Sequence, residues 1–359
     1  MGARILRISS TTGLGKYRDS CAAILAGLTA ARGMSDFELF FRGDEEPRPI
    51  SGCVAPIVTH GFSGIGRFVA LLHCTLIDLL CDPVSRDLLA APWFVALPDP
   101  RSRNIDAGLD RVDDPSGRVE WLGCTVIERA FAAAGVRGGL QRCRFYSGDR
   151  VAFPAALDDA ISGLRTGAYQ RCVVGAVDSL LSMQVLEALA RDNLLRTPKN
   201  EYGLVPGEAA ALIVLDSGGD GGGGSTPNVE AVVTKPKTLN AERGDGRALA
   251  TAILEASDAA TATRVEAGIA AITDQNGERE RAYEWGDALV YLAAHHFPTT
   301  IRPTLHHAMS LGDTGVCASA LGLTLAAYMM SRGRLLTPAV LTASSFEAPL
   351  CAATLLTGA

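Results

Sequence analysis

Residues 164–215 read LRTGAYQRCVVGAVDSLLSMQVLEALARDNLLRTPKNEYGLVPGEAAALIVL. A helix ends in Leu164-Arg165-Thr166-Gly167, and a buried strand follows through Val174-Gly175-Ala176-Val177-Asp178. A second helix covers Ser182–Asp192. The turn Gly203-Leu204-Val205-Pro206-Gly207-Glu208-Ala209-Ala210 then feeds another apolar strand. Short apolar runs with helical patterns between them predict a mainly parallel sheet covered on both faces.

The same alternation extends both ways. Strand runs are Ala3–Ile8, Trp93–Leu97, Leu140–Tyr146, Cys172–Val177 and Ala209–Leu215. Helical patterns fall at Ser20–Arg32, Ile65–Leu80, Val119–Ala134 and Val151–Leu164. The run 217–225, SGGDGGGGS, breaks the chain as a flexible segment. It lacks the Lys-Ser/Thr and following helix of a phosphate-binding loop. After it the pattern restarts: strand Val229–Val233, helix Asp245–Ala260, strand Gly268–Thr273, helices Tyr283–Ala294 and Leu321–Arg332, strands Ala339–Ala343 and Cys351–Leu356.

Composition narrows the function classes. The 359 residues are 48% hydrophobic, enough for a large core or two fused half-domains. Thirty-three basic residues against 39 acidic ones give a net charge of −6, which argues against a nucleic-acid partner. The start MGARILRISS lacks the apolar core and cleavage site of a signal peptide, and no apolar stretch reaches the ~18 residues of a spanning helix. A cytoplasmic location is expected. The nine scattered cysteines, without a CxxC pair, read as reduced. The pairs His295-His296 and His306-His307 have no carboxylate or thiol at ligand spacing, so no metal and no cofactor are expected.

On the motifs of residues 164–215 the chain resembles the β-ketoacyl synthase branch of the thiolase superfamily. The resemblance implies an α/β thiolase-like fold, with two similar halves in five αβαβα layers and mixed, mainly parallel sheets. The halves would be 1–216 and 228–359, joined by a Gly-rich loop at 217–227. Condensing enzymes of that family use a cysteine at a helix N-terminus, two histidines and a lysine. The helix start lowers the thiol pKa and aims N–H groups at the oxyanion. Counted back from Leu164, the nucleophile position falls on Arg150, with Ser147 the only hydroxyl nearby and Cys143 seven residues upstream. The histidine positions fall on Asn276 and Asp313, and the lysine position on Ala308. The family's glycine-rich gating loop becomes Ser345-Phe346-Glu347-Ala348-Pro349-Leu350. None of these positions holds the catalytic residue type. Asp313 is expected to pair with Arg150, while Asp178 and Glu208 are expected to brace the scaffold.

The chain therefore reads as a pseudoenzyme. Its motifs resemble ketosynthase-like accessory proteins found beside type VI secretion effectors, which implies a protein-binding adaptor. The alternative is the silent, chain-length-factor-like partner of an active ketosynthase in fatty-acid, polyketide or aryl-polyene synthesis. A third reading is an acyltransferase working through Ser147 or Cys143. Partners would be a secretion component, or a ketosynthase or acyl carrier protein. The strand run Leu140–Tyr146 would join a homodimer or heterodimer. Partner contacts are expected on the polar loop 99–114, through Arg101, Arg103, Asp106 and Asp110, and on a patch holding Asp274, Glu278 and Trp285. The segment Phe346–Leu350 is expected to narrow the old acyl tunnel.

Overall fold

The computed structural model describes residues 2–40, 45–81, 88–105, 114–136, 142–218, 226–238, 246–258, 268–295 and 301–358. Its first half runs β1 (Ala3–Thr12), β2 (Gly15–Lys16), α1 (Tyr17–Leu25), β3 (Arg32–Leu39), β4 (Arg48–Gly52), α2 (Pro56–Thr59) and α3 (Ile65–Leu80). It continues with β5 (Trp93–Ala96), α4 (Pro115–Ala133), β6 (Cys143–Tyr146), α5 (Ala152–Arg165), β7 (Arg171–Ser179), α6 (Met183–Arg191) and β8 (Glu208–Asp216). The second half holds β9 (Asn228–Pro236), α7 (Gly246–Asp258), β10 (Ile269–Ile272), α8 (Arg279–Ala294) and β11 (Ile301–Leu305). It closes with α9 (Ala308–Leu311), α10 (Ala318–Ser331), β12 (Ala339–Ser344) and β13 (Leu350–Thr357).

The two halves repeat one strand order. The first is β6-β5-β7-β8-β1 and the second β11-β10-β12-β13-β9. In each, four strands point the same way and one, β8 or β13, runs against them. The halves meet at β1 and β9, where only Ala3↔Val229 and Arg4↔Asn228 pair. Three apolar clusters set the layers. Helices α3 and α4 cover one face of the first half-sheet, and α7 and α8 cover one face of the second. Between the sheets lie α5 and α10, packed against strands of both. Helix α10 is buried on every side except at Tyr328 and Ser331, as a central helix must be.

Local sequence explains the centre. Strand β7 is buried along nearly its whole length, as a β-branched apolar run flanked by strands should be. At Gly175 any side chain would drive into Leu212 and the Ala211 carbonyl of β8, so the strands approach this closely only with glycine there.

Two readings of the sequence need correction. The helix expected over Ser20–Arg32 stops at Leu25, because Gly27 takes φ 74° and Leu28 N–H turns back to the Ala23 carbonyl. The chain then forms the β3–β4 hairpin, whose broken register hides the strand period. Strand β11, not anticipated from the sequence, contains Pro303 and lies at the sheet edge, where proline is tolerated. The expected structureless loop 99–114 contains a 3-10 turn, Pro100–Arg103, capped by the Asp99 side chain. Asp106 and Asp110 lie outside the described residues.

Candidate functional site

Strand β6 ends at Tyr146, and the chain must turn sharply to start α5. Gly148 (φ 136°) and Asp149 (φ 55°) make the turn, using the two residue types that best accept such angles. Ser147 is exposed at its tip, and no hydrogen bond to its hydroxyl is described. A 3-10 turn over Asp149–Val151 then aims Arg150 inward, with a side chain only 3% exposed.

The Arg150 guanidinium donates from Nη2 to Asp313 Oδ2 and from Nη1 to the Asp274 carbonyl (2.6 Å). The pair expected from the sequence is present. Asp313 also accepts from Asn276 Nδ2 (2.7 Å) and from the Gly315 N–H (2.8 Å). Asn276 donates onward to Glu278 Oε2 (2.8 Å), which accepts from Arg281 Nε (2.7 Å). Arg281 reaches Asp274 Oδ2 (3.0 Å) and the Ser344 carbonyl (2.6 Å). Beside it, Lys237 Nζ donates to Glu284 Oε1 (3.0 Å) and Ser344 Oγ (2.6 Å). The Phe346 ring covers both cations, 4.1 Å from Lys237 Nζ and 4.9 Å from the Arg281 guanidinium carbon. Thus the segment after Ser345 lies over an ion network.

Three cations (Arg150, Lys237, Arg281) face five carboxylates (Asp149, Asp274, Glu278, Glu284, Asp313). The protonation equilibria respond to that imbalance. Burial would raise the Asp313 carboxyl, yet Arg150, Arg281, the Gly315 N–H and Asn276 hold it below the ordinary range. Asp149 is nearest Arg281, at 3.9 Å, and burial pushes it up to about 6 against the pull of Arg150 and Arg281. Burial also raises Glu284 despite Lys237. His307 is buried with no hydrogen-bond partner described for either ring nitrogen. Burial, reinforced by Arg150, pushes it down to about 4.

The nearby thiols are poor nucleophiles in this setting. Cys317 stands at the start of α10, but burial, helped by Asp178, raises it well above its ordinary value. Burial pushes Cys143 up to about 12. Ala308 opens α9 and is half-buried, so no ammonium arises there; Lys237 brings one from a different strand end.

Two further carboxylates brace the frame. Asp178 accepts a bidentate fork from Arg103 (2.8 and 2.7 Å) and N–H bonds from Ser179 and Val316. Glu208 accepts from Ala55 N, Thr59 Oγ1, Arg67 Nη1 and Ser179 Oγ. These contacts correct the expected partner surface. Arg103 is turned inward onto Asp178, while Asp274 and Trp285 are buried and Glu278 is tied into the network. Of the described residues expected to touch a partner, Arg101 is the exposed one. Sequence reasoning missed Lys237 and Arg281 as network members. The i, i+3, i+6 spacing of Glu278, Arg281 and Glu284 was the available signal, since it places them on one side of a helix start.

Neither a family model nor a curated protein matches the chain by sequence. Solved structures do match in fold. The ishigamide ketosynthase/chain length factor is 15% identical, with a TM-score of 0.68 over 100% of this chain and 99% of that one. A β-ketoacyl synthase from Burkholderia phymatum STM815 is 15% identical, TM-score 0.71, covering 100% and 99%. The ketosynthase ApeO in complex with its chain length factor ApeC, from Xenorhabdus doucetiae, is 13% identical, TM-score 0.68, covering 100% and 98%. The fold is thus that of the ketosynthases and their chain length factors. Among the described residues no helix is long and apolar enough to cross a membrane.

Proposed function

We propose that the chain is a non-condensing, ketosynthase-fold subunit that acts as the silent, chain-length-factor-like partner of an active ketosynthase. One observation carries the reading: the nucleophile turn presents Arg150, locked onto Asp313 and the Asp274 carbonyl. A guanidinium stays protonated and cannot carry an acyl group. Asn276 and Asp313, at the two histidine positions, are committed to the same network, so neither is free to stabilise an enolate.

Two further facts support a ketosynthase partner over a secretion adaptor. Two of the fold neighbours, the ishigamide ketosynthase/chain length factor and ApeO with ApeC, join a ketosynthase and a chain length factor. Strand β6 ends the sheet order and pairs only with β5 among the described residues, leaving an edge that needs cover. A role beside type VI secretion effectors has no structural observation in its favour.

The test has two parts. Incubation with malonyl- or acyl-loaded carrier protein should leave the intact mass unchanged. Stoichiometric acylation that disappears in Ser147→Ala or Cys143→Ala would establish an acyltransferase instead. Tagged protein purified from its native host should elute with a ketosynthase in a one-to-one complex by light scattering. Recovery of a secretion component in its place would restore the adaptor reading.

A further inference from the structure

Past Arg4, β1 parts from β9, and a cleft opens at the seam between the two halves. Its main lobe, about 630 Å³, has apolar walls at Leu6, Ile8, Pro227 and Ala327, with Lys16, Asp19 and Asp78 at its polar side. A second lobe of about 410 Å³ shares Tyr17, Arg18 and Ser331 with the first and adds Tyr328 and Arg332. The cleft is remote from the ion network. Ser319, near the start of α10, holds the Arg150 carbonyl, whereas Ser331 ends that helix. Twelve residues separate them, roughly 18 Å along a helix axis.

The charges in the cleft are unevenly matched. Lys16 pairs with Asp78 (3.2 Å), and Arg7 donates to the Asp78 carbonyl (2.9 Å). Arg18 and Arg332 have no carboxylate partner among the described residues; Arg332 lies over the Tyr328 ring at 5.6 Å. Both guanidiniums act on Tyr17, whose hydroxyl is raised chiefly by burial while the two arginines oppose the rise. Tyr17 and Tyr328 meet edge-to-face with centroids 6.0 Å apart, forming the floor between the lobes. The end of α10 suits Arg332 electrostatically, but the first turn of α1 is an unfavourable place for Arg18. Asp19 and Asp78 also line the cleft, but Arg7, Lys16, Arg18 and Arg332 outnumber them, so the site carries an excess of positive charge, with Arg18 and Arg332 held in no ion pair among the described residues. A cavity of this size, with an apolar wall and a few convergent donors, has the form of a small-molecule site. Guanidinium forks fit oxyanions in particular.

We propose that this cleft binds a small amphipathic oxyanion, a phosphate monoester or carboxylate on an apolar body. The headgroup lies between Arg18 and Arg332 with the Tyr17 hydroxyl in reach. The body lies along Leu6, Ile8, Pro227 and Ala327. The site stands apart from the degenerate catalytic centre, and the inference does not rest on the partner reading.

Calorimetric titration of the full chain with hexyl phosphate, hexanoate, hexanol and inorganic phosphate tests it. Hexyl phosphate or hexanoate should bind one-to-one with Kd below ~1 mM. Either should bind at least about tenfold more tightly than hexanol and inorganic phosphate, a gap that narrows as salt is added. Which of the two binds identifies the headgroup. The double variant R18Q/R332Q, altered only at exposed positions, should melt within a few degrees of wild type and lose about tenfold or more in affinity. Equal affinity for hexanol, equal affinity for inorganic phosphate, or undiminished binding by the double variant would each overturn the proposal.

Discussion

Asp178 and Glu208 are buried carboxylates, and so are Asp274 and Asp313, but their charges are met differently. Asp178 takes one arginine fork and two N–H bonds; Glu208 takes one arginine, two hydroxyls and one N–H. Each is a closed one-to-one pair. Asp274 and Asp313 share their arginines in a network with more carboxylates than cations, and it leaves Arg150 Nε and His307 without described partners. The closed pairs stand where the sequence keeps the scaffold motifs. The open network stands where the catalytic residue types are missing. The frame is held by saturated pairs, whereas the Arg150–Asp313 network is built of groups that only partly satisfy one another.

The largest effect should come from opening the network at its centre. Arg150→Met leaves the buried Asp313 carboxylate without its guanidinium and should cost about 3–5 kcal/mol, as loss of one partner of a buried pair does. The double variant R150M/D313L leaves no such charge at that contact and should recover most of the loss, to within roughly 2 kcal/mol of wild type. Arg103→Met, in a closed pair, should cost as much as the first variant. Urea unfolding monitored by circular dichroism measures all three. If R150M matches wild type while R103M does not, the network is solvated and the contrast between the two regions fails.

The scaffold was legible because its signals are local. The residues of β7, the Pro206-Gly207-Glu208 turn and α3 at Ile65–Leu80 can be read within a few positions of one another. The Arg150–Asp313 pair could also be anticipated, since both ends fall on motif positions. Lys237, Glu284 and Ser344 could not, because they come from three separate segments and meet only when the second half folds. Arg103 misled for the same reason. In sequence it belongs to a polar loop, and its partner Asp178 lies 75 positions away. The Asp274–Trp285 stretch looked like surface because it is polar and turn-rich, yet its polar groups are buried by satisfying one another.

A smaller effect, of opposite sign, should separate the network from the closed pairs through pH. The folded pKa of Asp149 is about 6, above the ordinary value near 3.9. Such a group contributes stability at low pH that is lost as pH rises through about 6. Asp149→Asn removes the ionisation and tolerates the same positive φ, so it should stabilise the protein at pH 8 by at most about 3 kcal/mol. The gain should vanish near pH 4. Melting temperatures at the two pH values report it. A loss of stability at pH 8 would mean that Arg281, at 3.9 Å, compensates the carboxylate after all.

The smallest effect at neutral pH concerns His307, and it sharpens the comparison most. A buried polar atom without a partner costs about 1–3 kcal/mol, whereas an apolar side chain of similar shape carries no such penalty. Leucine at 307 removes two unpartnered nitrogens but puts a branched, slightly bulkier side chain where a flat ring was packed, so the terms oppose each other. His307→Leu should lie within about 1 kcal/mol of wild type at pH 7. Acid separates the two proteins. The folded pKa of about 4 lies below the ordinary 6.5, so the histidine's contribution is intact above 6.5 and is lost as pH falls toward 4. The leucine variant lacks that loss and should be the more stable protein at pH 4.5. Between pH 6 and 4 the two groups pull against each other, Asp149 adding stability in the wild type as His307 withdraws it. A variant lacking both should therefore show a flatter pH profile than either single variant. If His307→Leu instead costs 2 kcal/mol or more at pH 7, the ring nitrogens are hydrogen-bonded, and the network is as closed as the pairs at Asp178 and Glu208.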